Sequence, residues 1–231
     1  MIKRHLWLYV AVYCLVANTV WAAPRWKPVI SLDPLANASG WITSASMAVR
    51  FIPPVSDSYV KGYSLLLSQS PFIEADLVVD AVQPEWTFHK LEDGIYYLSI
   101  HSALQDGKWM KGEVIRLKID FHPPKSPARI ECYDSLFERH NILPDNAQNL
   151  VRRPFFKWPV PDAEKGSAIK QYYVIWEQSD GTLLESGLRS QNSFFPAAPV
   201  PHSGSYRIRI FSMDEAGFIS AEPAVFLFVY S

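Results

Sequence analysis

Cysteine is nearly missing: the 231 residues hold two, Cys14 in an apolar N-terminal run and Cys132. One cysteine beyond that run cannot form an intramolecular disulfide, so any folded unit must hold together by core burial alone. A charge excess is missing as well, with 22 Lys and Arg against 23 Asp and Glu. Nothing in that balance attracts nucleic acid or an anionic membrane. Catalytic signatures are equally scarce. The chain has no Gly-x-Ser-x-Gly, His-Glu-x-x-His, phosphate loop or dinucleotide glycine run. No long amphipathic helical pattern occurs, which argues against a helical fold and, with 18 prolines and many aromatics, for an all-β one.

The apolar run is short. Leu6 to Val20 covers fifteen residues, less than the ~20 of a comfortable membrane span. It follows a basic start, Met1-Ile-Lys-Arg-His5, and precedes the small-residue site Val20-Trp-Ala22. Residues 1–22 therefore read as a secretory signal peptide, with an uncleaved signal anchor as the alternative. Either form places the rest of the chain outside the cytoplasm, with no membrane insertion after cleavage. Without Lys3 and Arg4 the remainder carries 20 basic and 23 acidic residues. Low cysteine use in an exported chain leans toward a bacterial envelope.

What is present is a repeat. Gly94 to Gly107, GIYYLSIHSALQDG, recurs as Gly204 to Gly217, GSYRIRIFSMDEAG. Tyr96/Tyr206, Leu98/Ile208, Ile100/Ile210 and Ser102/Ser212 match at one constant offset, with apolar residues at every second position. That is the period of a strand buried on one face. Lys61 to Ser70 matches Lys170 to Ser179 in the same way, through Tyr63/Tyr172, Leu65/Val174 and Leu67/Trp176. Val225, Leu227 and Val229 are matched to the inward Ile115, Leu117 and Ile119. Further strands are expected at Val29–Leu32, Ser46–Ile52, Leu77–Val79 and Trp86–Phe88, and a short helical turn at Asp134–His140. A tandem duplication explains the matches together.

An aromatic-Pro strand end, a Tyr-x-apolar strand, a Gly-x-Tyr-x-apolar strand, an Asp/Gly loop and a last alternating strand recur over about a hundred residues. The chain thereby resembles tandem fibronectin type III modules, and more narrowly the Ig-like modules of bacterial exported proteins. Lys61–Pro71, Leu91–Gly94 and Ile119–Pro124 carry the likeness in the first copy, and Asp214–Ser220 in the second. The resemblance implies an all-β chain of two antiparallel β-sandwiches, residues 23–122 and 128–231, joined by a stiff proline-rich linker at 123–127. Two departures stand out: Phe51 occupies the place of the usual core Trp, and residues 128–157 exceed the family's opening segment.

Candidate chemistry is thin. Ser58-x-x-Lys61 and Ser167-x-x-Lys170 have serine–lysine spacing, but that pair needs one helical face and here each runs into a strand. His89, His101, His122, His140 and His202 are scattered, and His101 is expected on the solvated side of its strand. Asp106 and Asp214 read as turn formers, since one carboxylate is far short of a calcium shell. No cofactor or metal is called for.

Strand parity supplies the best binding surface. With Ile208 and Ile210 inward, Arg207, Arg209 and Phe211 face out. The matching of Val225, Leu227 and Val229 to the first copy puts Phe226, Phe228 and Tyr230 outside, next to Tyr173 and Ile175. An exposed aromatic face of that size usually meets a partner; the alternatives are that residues 133–153 or the first unit cover it, or that its arginines and aromatics stack on one another. Trp109, in the loop after the first repeat strand, is a candidate for stacking on a sugar ring. The reading is a non-catalytic exported binding or scaffold protein of a bacterial cell envelope, periplasmic, surface-bound or secreted, docking to another envelope or surface protein. The alternatives are a carbohydrate-binding module, with polysaccharide as ligand, and an accessory module of an envelope enzyme complex.

Overall fold

The computed structural model describes residues 25–55, 59–136, 141–163 and 165–231. The segment 1–22, Ser58 and most of the turn expected at 134–140 lie outside them. Every named element is a strand.

Residues 25–122 form two sheets. One is three-stranded, β1 (Ile30–Asp33), β3 (Met47–Phe51) and β5 (Glu85–Phe88), in the order β1-β3-β5. The other runs β2 (Trp41–Ile42), β8 (Ile115–Ile119), β6 (Gly94–Leu104), β4 (Val60–Ser68), with the short β7 (Trp109–Lys111) also on β6. Met47, Val49 and Phe51 alternate into the core with Tyr63, Leu98, Ile100, Leu117 and Ile119, one apolar row from each sheet. The Phe51 ring stands edge-on to Tyr63 at 4.7 Å, an aromatic pair at the depth where the resemblance would have had a tryptophan.

The C-terminal half is built alike. β10 (Ile142–Leu143), β9 (Glu131–Tyr133), β12 (Phe155–Lys157) and β15 (Ser193–Phe194) make one sheet in that order. β11 (Gln148–Asn149), β17 (Ala224–Tyr230), β16 (Gly204–Asp214), β13 (Ile169–Gln178) and β14 (Leu183–Arg189) make the other. Phe156, Trp158, Trp176, Tyr206 and Phe228 fill the space between them. Cys132 is sealed in this core, and burial pushes its thiol far up, out of reach of ordinary redox chemistry.

The repeat extends to ladder irregularities. Tyr63 pairs with Ser102 and Tyr172 with Ser212, Leu67 with Leu98 and Trp176 with Ile208. In both halves the register shifts across a lysine, between Val60 and Gly62 and between Ile169 and Gln171. The matching of the last strand, however, is one residue off. Tyr96 faces Leu117, whereas Tyr206 faces Phe228, not Leu227. A slip of one residue moves every side chain to the opposite face. Phe226 and Phe228 are accordingly buried, at 5% and 1% exposure, while Val225 and Leu227 stand out at 47% and 38%. Tyr230 packs against the same core.

Two further expectations are corrected. Leu77–Val79 forms no strand; it lies in the connection from β4 to β5, which folds back over the outer face of its own sheet. Asp80 and Ala81 donate their N–H groups to Tyr63 O, Tyr63 N–H donates to Ala81 O, and Leu65 N–H donates to Asp80 Oδ2. These bonds occupy the open edge of β4. Ala75 N–H donates to Ser99 Oγ, so Ser64, Ser99 and His101 are fully buried beneath the segment. His101 was expected in solvent because strand parity reports direction and not what lies on top.

The fit at that edge is tight, and it has a measurable consequence. A Cβ on Gly62 would meet Val79 Cγ1 at 2.4 Å and Ala81 O at 2.9 Å. Gly62→Ala is expected to push the segment off β4 and destabilise the fold by about 1–3 kcal/mol, measured by urea unfolding. A variant as stable as the parent would mean that the segment does not bind this edge.

Candidate functional site

The outer face of the β14-β13-β16-β17 sheet is read off its pairings. Leu188, Tyr173 and Phe211 are cross-strand neighbours in one row. The next holds Ser186, Ile175, Arg209 and Val225, and the one after it Glu177, Arg207 and Leu227. Alternation along each strand puts the rows on the side away from Trp176, Ile208, Ile210 and Phe228. Five residues singled out from parity, Tyr173, Ile175, Arg207, Arg209 and Phe211, are thus together on this face. Phe226, Phe228 and Tyr230 are not, for the reason of register given above, and Val225 and Leu227 take their place.

At the centre sits one carboxylate between two guanidinium groups. Arg207 donates from Nε and Nη2 to Glu177 Oε1 at 2.8 and 2.5 Å, and Arg209 Nη2 donates to Glu177 Oε2 at 3.0 Å. The Glu177 side chain is almost wholly shielded, while each arginine keeps about a third of its surface in water. Burial pushes the Glu177 carboxyl up, but the hydrogen bonds and charges of Arg207 and Arg209 outweigh it and hold the group below its ordinary value. Arg209 Nε is buried with no hydrogen-bond partner among the described residues. The cluster has two positive charges against one negative, within a rim of Tyr173, Phe211, Val225, Leu227 and Leu188.

Trp109 is half-buried in β7, paired with Ala103, rather than free in a loop. The serine–lysine spacing at 167–170 has a structural use: Ser167 is buried, its Oγ accepts the Ala216 N–H at 3.0 Å, and Lys170 is exposed. Asp106 and Asp214 are turn formers as expected. Asp106 Oδ1 accepts from Lys108 N–H, and Asp214 Oδ1 from Gly217 and Phe218 N–H. No group of three or more His, Cys, Asp or Glu able to hold a metal occurs among the described residues. No helix among them is long and apolar enough to cross a membrane.

Sequence reasoning missed a second arrangement, the contact between the two halves. Asp120 Oδ2 accepts the Ser167 N–H at 2.7 Å, and Asn37 Nδ2 donates to Ala216 O at 2.8 Å. Trp41 Nε1 reaches Glu215 Oε2 at 3.3 Å, with Lys118 Nζ over its ring. Lys165 pairs with Glu92, and Ser126 Oγ donates to Glu222 O. A cleft of about 580 Å³ runs along this contact, with Asp93, Asp120, His122 and Asp214 in its wall. Its polar groups are occupied in joining chain segments: Asp120 by Ser167 and His122 N–H, Asp214 by its own turn, Asp93 by His122. Burial, and then the neighbouring Asp120 charge, raise the Asp214 carboxyl against the pull of the Phe218 N–H. The one available hint was the Asp214-Glu-Ala-Gly217 turn, whose Glu215 and Ala216 make the contact.

No family model matches the sequence, and no curated protein matches it. Among solved structures, the fibronectin(III)-like modules of Clostridium thermocellum CbhA align over 88% of this chain and 94% of that one. The identity is 12% and the TM-score 0.37, too low for the likeness to say more than that.

The ion cluster sets a pH dependence. A depressed carboxyl contributes stability that is present above its unfolded value and lost as pH falls through its folded one. Glu177→Gln leaves two guanidinium groups facing each other and is expected to cost about 2 kcal/mol at neutral pH, below the figure for a fully buried pair because both arginines are part-solvated. Melting curves from pH 7 to pH 3 should bring parent and variant together at the acid end. A gap unchanged across that range would contradict the pairing.

Proposed function

We propose that this chain is a non-catalytic, exported binding protein of a bacterial envelope. Its two units, residues 23–122 and 128–231, are fibronectin-type-III-like sandwiches joined through residues 123–127. The strand orders support that reading: in each half the sheet containing the Gly-x-Tyr strand runs from a short parallel edge strand through the last strand to the strand of Tyr63 or Tyr172. The signal-peptide pattern of residues 1–22 supports export. The hydrogen bonds between the halves suit a spacer that presents one surface at a set angle.

The observation that carries the docking role is the contrast between two related sheet faces. The N-terminal one lies under residues 74–76, with Ser64, Ser99 and His101 sealed beneath. Its C-terminal counterpart is left open, apolar at the rim and cationic at the centre. A contiguous patch of that kind on a monomer marks a protein contact.

Affinity capture from envelope extracts tests the role. The wild type is expected to retain a protein that Tyr173→Ser/Phe211→Ser/Leu227→Ser loses and that Trp109→Ser keeps. If the triple variant, folded, still holds every partner of the parent, the face does not dock.

A further inference from the structure

The chain carries a surface of the opposite character on its other half. Residues 70–82 read SPFIEADLVVDAV, with three acids and no Lys or Arg. While Ala75 and Ala81 are buried against the sheet, Phe72 is 95% exposed, and Leu77, Val78 and Val82 are exposed by half or more. Glu74 is neutralised by Lys111 at 2.6 Å and Arg25 at 3.6 Å. The Asp76 carboxylate accepts from Ser64 Oγ and the Val78 N–H and the Asp80 carboxylate from the Leu65 N–H, with no cation in range among the described residues. The segment therefore presents large apolar side chains beside two uncompensated negative charges, held in place by the edge of β4.

This complements the open C-terminal face, where apolar side chains ring two guanidinium groups that share one carboxylate. Pairing that face with the same face of a second molecule would bring four guanidinium groups onto two carboxylates, an arrangement that like-charge repulsion disfavours. The acidic apolar segment removes the conflict. It supplies carboxylates for the excess positive charge and side chains for the rim.

We propose that residues 70–82 of one copy dock on the outer β13-β16-β17 face of a second copy, so that molecules join head to tail. The inference rests on the docking role of that face and names its occupant. Because the two surfaces differ, the contact is heterologous, and each added molecule leaves one segment and one face free. Such a contact builds an open chain of copies, or a ring where its rotation closes. Within a single molecule, the bonds from residues 75 and 80–81 to β4 and β6 hold the segment against its own half, which leaves its outward side for a neighbour.

Complementation of two blocked variants is the test. Tyr173→Ser/Leu227→Ser blocks the face and Phe72→Ser/Val78→Ser blocks the segment; all four side chains are exposed, so unchanged melting temperatures are expected. Light scattering on the exported chain at about 100 µM, enough to populate a weak transient contact, should give the wild type a mass at least double that of one chain. Each variant alone should be monomeric. Their equimolar mixture should stop at a dimer, since one intact segment meets one intact face. A monomeric wild type overturns the proposal, as does continued association of either folded variant or a mixture that stays monomeric. Should a double variant unfold, Val225→Ser or Leu77→Ser gives the same comparison. A monomeric wild type whose captured partner is still lost with the face variant sinks self-assembly alone and leaves the docking role standing.

Discussion

The pairing of Tyr206 with Phe228 across the last two strands decides what the C-terminal half shows to solvent. The strand AVFLFVY is apolar at every position, so its own composition is compatible with either orientation. What selects one is the interior it faces. Phe156, Trp176 and Tyr206 leave a space that phenyl rings fill, and Phe228 lies within about 6.4 Å of all three ring centroids. Turning the strand over would put Val225 and Leu227 there and leave two phenylalanines in water. Close packing of the interior penalises that exchange on both sides. Arg207, in turn, has Leu227 as its cross-strand neighbour and Glu177 on the other flank.

Much of the architecture was legible because strict alternation next to turn residues is hard to read in any other way. Met47, Val49 and Phe51, or Leu98 and Ile100, have polar or small neighbours that fix the inward side. The Lys61 and Lys170 strands were legible for the same reason, down to equivalent ladder shifts. The last strand was misread because its inward side was carried over from the first copy at a constant offset. Phe228, which faces Tyr206, stands eleven residues after Gly217, whereas Leu117, which faces Tyr96, stands ten after Gly107, and a period of two turns that difference into a reversed face. Nothing local could signal it, since no polar residue marks the outer side.

His101 and the contact between the halves were hidden for a different reason. Whether a side chain is covered depends on where a distant segment lands, and within residues 69–84 the short apolar run Leu77–Val79 suggested a strand of its own and not a cover. Their polar signature becomes intelligible only with β4 beside them, when Asp80 satisfies an edge N–H and Gly62 admits Val79. The joint uses single residues from many segments, Asn37, Trp41, Asp120, Ser167 and Glu215, each ordinary in its own sequence context. Of the candidate binding face, the part on β13 and β16 was legible and the part on β17 was not. The cationic centre survives the correction; the exposed aromatics on β17 are replaced by a valine and a leucine.

The halves thus use one plan with opposite outer surfaces: one sealed beneath an acidic apolar segment, the other open around Arg207, Glu177 and Arg209. All of this depends on which side of β17 faces water. Single cysteines placed in turn at positions 225, 226, 227 and 228 would report it by their rates of reaction with a thiol reagent, against a background kept low by the buried Cys132. Fast labelling at 225 and 227 and protection at 226 and 228 are expected. Fast labelling at 226 and 228, with 225 and 227 protected, would reverse the strand and remove the face described here.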